Sequence, residues 1–324
     1  MTPSAFSRLS SAFRRSIPAD AKERAWTTGD GHSLRRLDWP APAGARRGSL
    51  LFMPGRADAY EKWLEAFGQW HAEGWSVAAA DWRGQGFSGR LGRDAVTGHV
   101  DDFATWVADY AALWTDWSAG AARPHVAVAH SMGGHVVLRA VAEGKVRPTA
   151  LVLSAPMLGL HPAWLPSRWL HLAAKTIAAF GDARRPAWKG SEKPALIPQA
   201  RSRLLTHDLS RYDDEDWWRR QRPAITMGAA SWGWIERALA SIRLLETPGF
   251  LEAVDVPVLV LATSVDRLVS WPAIRRAVAR LPKAEIVVFG QECRHEILRE
   301  VDPVRDRAMN AIREFLDRVA PARD

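Results

Sequence analysis

The chain has 324 residues, 47% of them hydrophobic and 25% charged, with a formal net charge of +8 and one cysteine. That balance belongs to a globular protein long enough for a sheet-and-helix domain plus an insertion. No apolar run approaches the roughly 20 residues of a membrane span, and a lone cysteine excludes an intrachain disulfide. The positive charge comes from arginines spread along the chain, often beside acids as in Arg35-Arg36-Leu37-Asp38. With no zinc-finger spacing, Walker loop or dinucleotide fingerprint beside it, the charge does not indicate a nucleic-acid partner.

Residues 1–22 read as a flexible tail. Within it Phe6, Leu9, Phe13 and Ile17 recur at helical spacing beside Arg8, Arg14 and Arg15, which leaves a weak amphipathic surface anchor as the alternative. There is no continuous apolar stretch with a small-residue cleavage site, so no secretory signal is expected. The expected location is cytoplasmic, with association to a membrane face left open.

Trp26 to Asp38 predicts leading antiparallel strands. Core strands follow at Leu50–Met53, Ser76–Ala80, His125–Ala129, Ala150–Ser154, Val256–Ala262 and Glu285–Phe289. Helical segments separate them, at Ala59–Gly74, Asp101–Trp117 and Pro303–Val319 among others. Such alternation predicts an α/β protein with a mostly parallel sheet covered on both faces. Between Ala155 and Leu251 the alternation stops, prolines accumulate, and seven of the 17 tryptophans occur: Trp164, Trp169, Trp188, Trp217, Trp218, Trp232 and Trp234. The expected division is a core of residues 23–156 and 250–320 with a helical cap inserted over 157–249. The acidic run Asp213-Asp214-Glu215-Asp216 reads as a solvated helix start.

The chemistry concentrates at the ends of strands. Ser131, in His130-Ser131-Met132-Gly133-Gly134, lies between an apolar strand and a helix, where G-x-S-x-G elbows present a nucleophilic serine. Ala129 stands where that motif has its first glycine, and Gly133 holds the second. An acid and a base follow in the chain order this arrangement requires. Asp266 lies just past the strand ending at Ala262, and His295 lies past the strand ending at Phe289. Glu292 and Glu296 are too near His295 in sequence to be its partner, and Asp255 precedes its strand. The expected catalytic residues are therefore Ser131, Asp266 and His295, with the imidazole as base. The N–H groups of Met132 and of Arg56, in the Pro54-Gly55-Arg56 turn, are the expected oxyanion donors. Asp81-Trp82-Arg83-Gly84-Gln85-Gly86 is read as a structural loop ordered by Asp81 or Arg83. Trp232 and Trp234 are candidates for the pocket wall, and Cys293 is either a bystander or a site of oxidative inactivation.

Taken together, Pro54-Gly55-Arg56, Asp81-Trp82-Arg83-Gly84-Gln85-Gly86-Phe87-Ser88, the Ser131 elbow, Ala155-Pro156-Met157-Leu158, Asp266-Arg267-Leu268-Val269 and Arg294-His295-Glu296 resemble the α/β-hydrolase superfamily. Within it the resemblance is to the branch holding monoacylglycerol lipases and bacterial lysophospholipases L2. It spans about residues 25 to 318 and implies the α/β-hydrolase fold and a serine hydrolase of lipid-like esters, with Ser131, Asp266 and His295 in the triad positions. It requires no metal or organic cofactor. The expected partner is a small lipid-like ester, with peripheral contact to an anionic membrane as an accessory and no obligate protein partner. A carboxylesterase or thioesterase acting on a small non-lipid substrate, or a silent hydrolase fold used for binding, are the alternatives.

Overall fold

The computed structural model describes residues 11–45, 47–189 and 198–322. In chain order these form α1 (Ser11–Arg14), β1 (Lys22–Thr27), β2 (Ser33–Trp39), β3 (Gly48–Met53), α2 (Leu64–Ala72), β4 (Trp75–Ala80), α3 (Phe103–Gly120), β5 (His125–His130), α4 (Met132–Ala142) and β6 (Ala150–Ser154). Four cap helices come next: α5 (Ser167–Ala179), α6 (Pro198–Leu205), α7 (Leu209–Gln221) and α8 (Trp232–Glu246). β7 (Val258–Thr263), α9 (Trp271–Val278), β8 (Ala284–Phe289) and α10 (Asp302–Val319) complete the chain.

The strands make one eight-stranded sheet ordered β1-β2-β4-β3-β5-β6-β7-β8. β1 and β2 are antiparallel, and β2 meets β4 antiparallel; every later pairing is parallel. The central strands read as unbroken apolar runs because both of their faces are covered. Leu50, Phe52, Val126, Val128, Leu259 and Leu261 face a core shared with α2 and α10. Their neighbours Leu51, Met53, Ala127, Ala129, Val258 and Val260 face a second core with α3, α4 and α9, as the two-residue period of a strand dictates. Trp234, Ala238 and Leu245 of α8 belong to this second core, so the cap and the sheet domain share buried surface.

Two expectations change. Residues 11–20 are not a free tail, because Phe13 and Ile17 pack on the α2/α10 core. Trp218 Nε1 also donates to the Arg14 carbonyl at 2.9 Å, and Arg14 and Arg15 both pair with Asp214. Apolar side chains that can reach a core are buried there rather than displayed as an anchor; Phe6, Arg8 and Leu9 lie outside the described residues. The acidic run is not a helix start either. α7 is capped by Asp208, whose side chain accepts from Arg211 N–H, and Asp214 and Glu215 are buried among arginines further along the helix.

His135 lies fully buried in α4, its Nε2 2.7 Å from Ser241 Oγ of α8 and its ring edge-on to Phe103. Burial, reinforced by Arg139, pushes its pKa down to about 3. The folded protein therefore keeps His135 neutral while the unfolded chain takes up a proton below about pH 6.5, so stability falls as pH drops from that value toward 3. By pH 5 the expected loss from this residue is on the order of 2 kcal/mol. Asp81, whose carboxyl burial raises to about 6, acts in the opposite direction over that range. The test is therefore a difference: urea unfolding at pH 7 and pH 5 for the wild type and for His135→Asn. An equal pH dependence in the two proteins would show that His135 is not the group responsible.

Candidate active site

Ser131 sits between the last residue of β5 and the first of α4 with φ 52° and ψ −117°. A non-glycine residue there is strained by roughly 1–3 kcal/mol, a strain held only where surrounding structure fixes it. Main-chain bonds fix it: Ser131 N–H donates to the Ser154 carbonyl at 2.9 Å, while its own carbonyl accepts from Met157 N–H at 2.9 Å and His135 N–H at 3.2 Å. The strained turn presents Oγ to the base. His295 Nε2 lies 3.0 Å from it, and His295 Nδ1 lies 2.8 Å from Asp266 Oδ2. All three residues are nearly closed to solvent.

The loop after β7 orders the acid. Asp266 Oδ1 accepts N–H bonds from Leu268 at 2.8 Å and Val269 at 3.1 Å. Burial alone would raise this carboxyl, but the His295 ring and those two donors outweigh it and hold Asp266 below the ordinary aspartate value. An ionised carboxylate only accepts. Nδ1 of His295 therefore carries the proton and Nε2 presents its lone pair to the Ser131 hydroxyl. A hydroxyl so placed can pass its proton to the imidazole as it attacks a carbonyl carbon.

The Gly55–Arg56 turn at the end of β3 lies directly against this serine. A Cβ added to Gly55 would stand 3.1 Å from Ser131 Cβ and 3.2 Å from His130 Cδ2. Gln85, in the loop after β4, accepts the Ala57 N–H at 2.6 Å and sets its amide nitrogen 3.9 Å from Met132 Sδ. That loop is otherwise held as the sequence suggested, with Asp81 accepting from Arg35 and from Phe87 N–H, and Arg83 paired with Asp109 and Asp30. The Arg56 side chain rises into the cap, where its guanidinium carbon is 5.5 Å from the ring centres of both Trp188 and Trp234. Of the two candidate wall residues, Trp234 is thus buried beside the turn. Trp232 is half-buried, with its N–H on the Arg185 carbonyl. Trp188, which sequence reasoning passed over, is the tryptophan that accompanies Trp234.

Sequence reasoning also missed a buried charge cluster that joins the turn, the His295 loop and the cap. Asp58 accepts from Gly55 N–H at 3.2 Å and from Trp63 Nε1 at 3.0 Å. Lys62 Nζ lies 3.4 Å from Asp58, 3.1 Å from Glu215 of α7 and 2.6 Å from Glu296 beside the base. Arg299 closes the set on Glu296. Burial would raise the Glu296 carboxyl, but Lys62 and Arg299 hold it well below the usual range. The His295 loop is further pinned by Glu296 N–H on the Leu205 carbonyl at 2.8 Å. His161 bonds the Asp266 carbonyl at 3.0 Å. No motif marks Lys62, Glu215 or His161, because each is far in sequence from the group that it holds in the turn, the His295 loop or the Asp266 loop.

Cys293 is completely buried, and burial, with Glu300 and Glu292 nearby, pushes its thiol up. With so little thiolate it is poorly disposed to oxidation, so of its two readings the bystander is the one this environment favours. Among the described residues, no group of three or more His, Cys, Asp or Glu is placed to hold a metal ion.

A mostly parallel sheet, a strained serine turn at the end of β5 and partners at the ends of β7 and β8 define an α/β-hydrolase. The family model described as serine aminopeptidase, S33 matches residues 44–302, and the chain belongs to that family. It is 30% identical over 283 residues to lysophospholipase L2 of Escherichia coli strain K12, covering 83% of this chain and 80% of that one. It is 27% identical over 281 residues to the probable lysophospholipase L2 of Haemophilus influenzae, covering 85% and 86%. In fold it is similar to a soluble variant of the monoglyceride lipase of Saccharomyces cerevisiae, with a TM-score of 0.75 at 18% identity over 94% of this chain and 97% of that one. The monoacylglycerol lipase of Paleococcus ferrophilus gives a TM-score of 0.67 at 20% identity, covering 89% and 99%.

Proposed function

We propose that the protein is a serine hydrolase of single-chain lipid esters, of the lysophospholipid or monoacylglycerol type. The observation that carries this reading is the continuous hydrogen-bonded series Ser131 Oγ, His295 Nε2, His295 Nδ1, Asp266 Oδ2 on a strained elbow. Ser131 Oγ attacks the ester carbonyl while His295 takes its proton. The N–H groups of Met132 and Arg56 receive the charge that develops on the carbonyl oxygen. His295 then returns the proton to the departing glycerol or glycerophospho oxygen, leaving an acyl group on Ser131. Water, deprotonated by the same imidazole, releases the fatty acid and restores the serine. Asp266 keeps the ring in the required tautomer throughout.

The lipid part of the reading is supported by the names of the relatives and by the aromatic cap above Arg56, where an acyl chain would gain roughly 0.8 kcal/mol for each methylene buried. The purified protein treated with a fluorophosphonate probe is expected to carry its adduct on Ser131, located by mass spectrometry. Lysophospholipid or monoacylglycerol should suppress that adduct more strongly than a short-chain ester. Suppression by the short-chain ester alone would move the assignment to a small-substrate carboxylesterase. A folded protein that takes up no probe would be the silent binding fold.

A further inference from the structure

Among the described residues, three that are not glycine have positive φ: Ala57 at 54°, Ser131 at 52° and Ala155 at 45°. They stand past the ends of β3, β5 and β6, around the candidate site. Such conformations persist only where neighbouring groups over-determine them. Ser131 is strained because it forms the elbow, and Ala155 follows Ser154, whose carbonyl takes the Ser131 N–H. Ala57 follows Arg56, whose N–H is assigned above to the developing oxyanion.

The group that fixes Ala57 is the side chain of Gln85. Its Oε1 accepts the Ala57 N–H at 2.6 Å, and its Nε2 lies 3.9 Å from Met132 Sδ. One buried side chain thus touches the residue after the first oxyanion donor and the residue that supplies the second. The same loop holds the turn at its other end, where Trp82 Nε1 donates to the Pro54 carbonyl at 2.7 Å. Asp58 accepts the Gly55 N–H between them at 3.2 Å. The planar peptide that carries the Arg56 N–H is therefore set by held groups on both sides. Met132 N–H opens α4, where a helix supplies no acceptor of its own. The loop that presents Gln85 is tightly closed: its N–H donates to the Trp82 carbonyl at 2.9 Å, and its carbonyl accepts from Ser88 N–H at 2.8 Å. A Cβ on Gly86, at φ 52°, would stand 2.0 Å from Asp81 Oδ2, so glycine is what lets the loop close on that carboxylate.

We infer that Gln85 is a positioning residue of the oxyanion site: by accepting the Ala57 N–H while packed against Met132, it fixes the turn so that the Arg56 and Met132 N–H groups converge on one point. Gln85 is 2% exposed, so water does not replace its oxygen if the side chain is changed, and the Ala57 N–H is left without a partner. The turn then has no reason to keep its strained form. The role rests on the serine hydrolase reading above, but not on which ester is cleaved.

Gln85→Leu keeps the bulk and removes the acceptor. It is expected to lower kcat about 10- to 100-fold with KM within about threefold, the mark of a contact expressed in the transition state. Labelling of Ser131 by a fluorophosphonate, whose phosphoryl oxygen takes the oxyanion position, should slow by a similar factor. Gln85→Glu keeps an accepting oxygen and should recover most of the rate. Gln85→Asn is polar but one methylene short of Ala57; it should behave as Gln85→Leu and carries the test if the leucine variant does not fold. Ser88→Ala is the control. It removes the Ser88 Oγ bonds to the Arg35 N–H and the Asp81 carbonyl, which loosens the same loop without touching the turn, and should keep kcat within about threefold. Urea unfolding establishes that each variant is folded. Wild-type kcat and labelling in folded Gln85→Leu or Gln85→Asn overturn the proposal. Equal losses in Ser88→Ala and Gln85→Leu overturn it too, because the loop as a whole and not the bond to Ala57 would then be responsible. A wild type labelled on Ser131 that turns over neither lysophospholipid nor monoacylglycerol would remove the lipid-ester reading and leave the role of Gln85 standing on the labelling rates. A folded wild type that takes up no probe would remove both.

Discussion

Ser131→Ala is expected to lower kcat/KM for ester hydrolysis by at least about 10⁴-fold, leaving only what the remaining site can do by binding and polarising the carbonyl. The substitution should leave the fold intact for a specific reason. The elbow is fixed by main-chain bonds from Ser131 to Ser154, Met157 and His135, and alanine keeps all three. The positive φ is as strained for alanine as for serine. What disappears is the side-chain bond to His295 Nε2, so the unfolding free energy should stay within about 1 kcal/mol of wild type. Steady-state kinetics on lysophospholipid and on a short-chain ester, with urea unfolding of the same preparation, give the answer. Turnover within tenfold of wild type in Ser131→Ala, with the fluorophosphonate adduct now on another residue, would place the nucleophile elsewhere.

That the serine could be found before the fold was known follows from how local its signal is. The strand, the strained turn and the helix start occupy a dozen consecutive residues, and the parallel strands around them are unbroken apolar runs because both faces are covered. Asp266 and His295 were legible because each comes just past such a run. Long-range features were not. Lys62, Glu215 and Glu296 meet only after the sheet and cap have folded, and a run of four acids reads as solvated until the arginines facing it are placed. The exposure of Trp169 and Leu172 on α5 was hidden for a different reason. Helical periodicity shows that Trp169, Leu172 and Phe180 share a side, but not whether that side meets the core; the small Ala174 on the opposite side is the one that α8 covers. Apolar residues of the N-terminal segment misled in the reverse sense, since Phe13 and Ile17 looked fit for a surface and are packed inward.

The departure at Ala129 sharpens the second large expectation, Gly133→Ala. The two small positions of the elbow are not equivalent. Ala129 is an ordinary β5 residue opposite Met53 and Leu153, fully buried, and its methyl group is already accommodated in the core. At Gly133 an added Cβ would stand 2.4 Å from the Pro54 carbonyl oxygen and 2.6 Å from that of Met53. Those are main-chain atoms at the end of β3, so relief requires moving either the start of α4 or the strand end that leads into the Gly55–Arg56 turn. Overpacking of this kind costs on the order of 1–3 kcal/mol. The functional cost is larger, because the displaced backbone carries the Met132 and Arg56 N–H groups, and a shift near 1 Å at a reacting centre lowers rate by about 10²-fold. Gly133→Ala is therefore expected to fold with reduced stability and to lose kcat about 100-fold with little change in KM. Ala129→Gly should cost only about 0.5–1 kcal/mol through strand flexibility and leave kcat close to wild type. Wild-type kcat in a Gly133→Ala protein that shows the expected loss of stability would mean that displacing this backbone does not affect the reacting centre, and Arg56 and Met132 would then lose their assigned role.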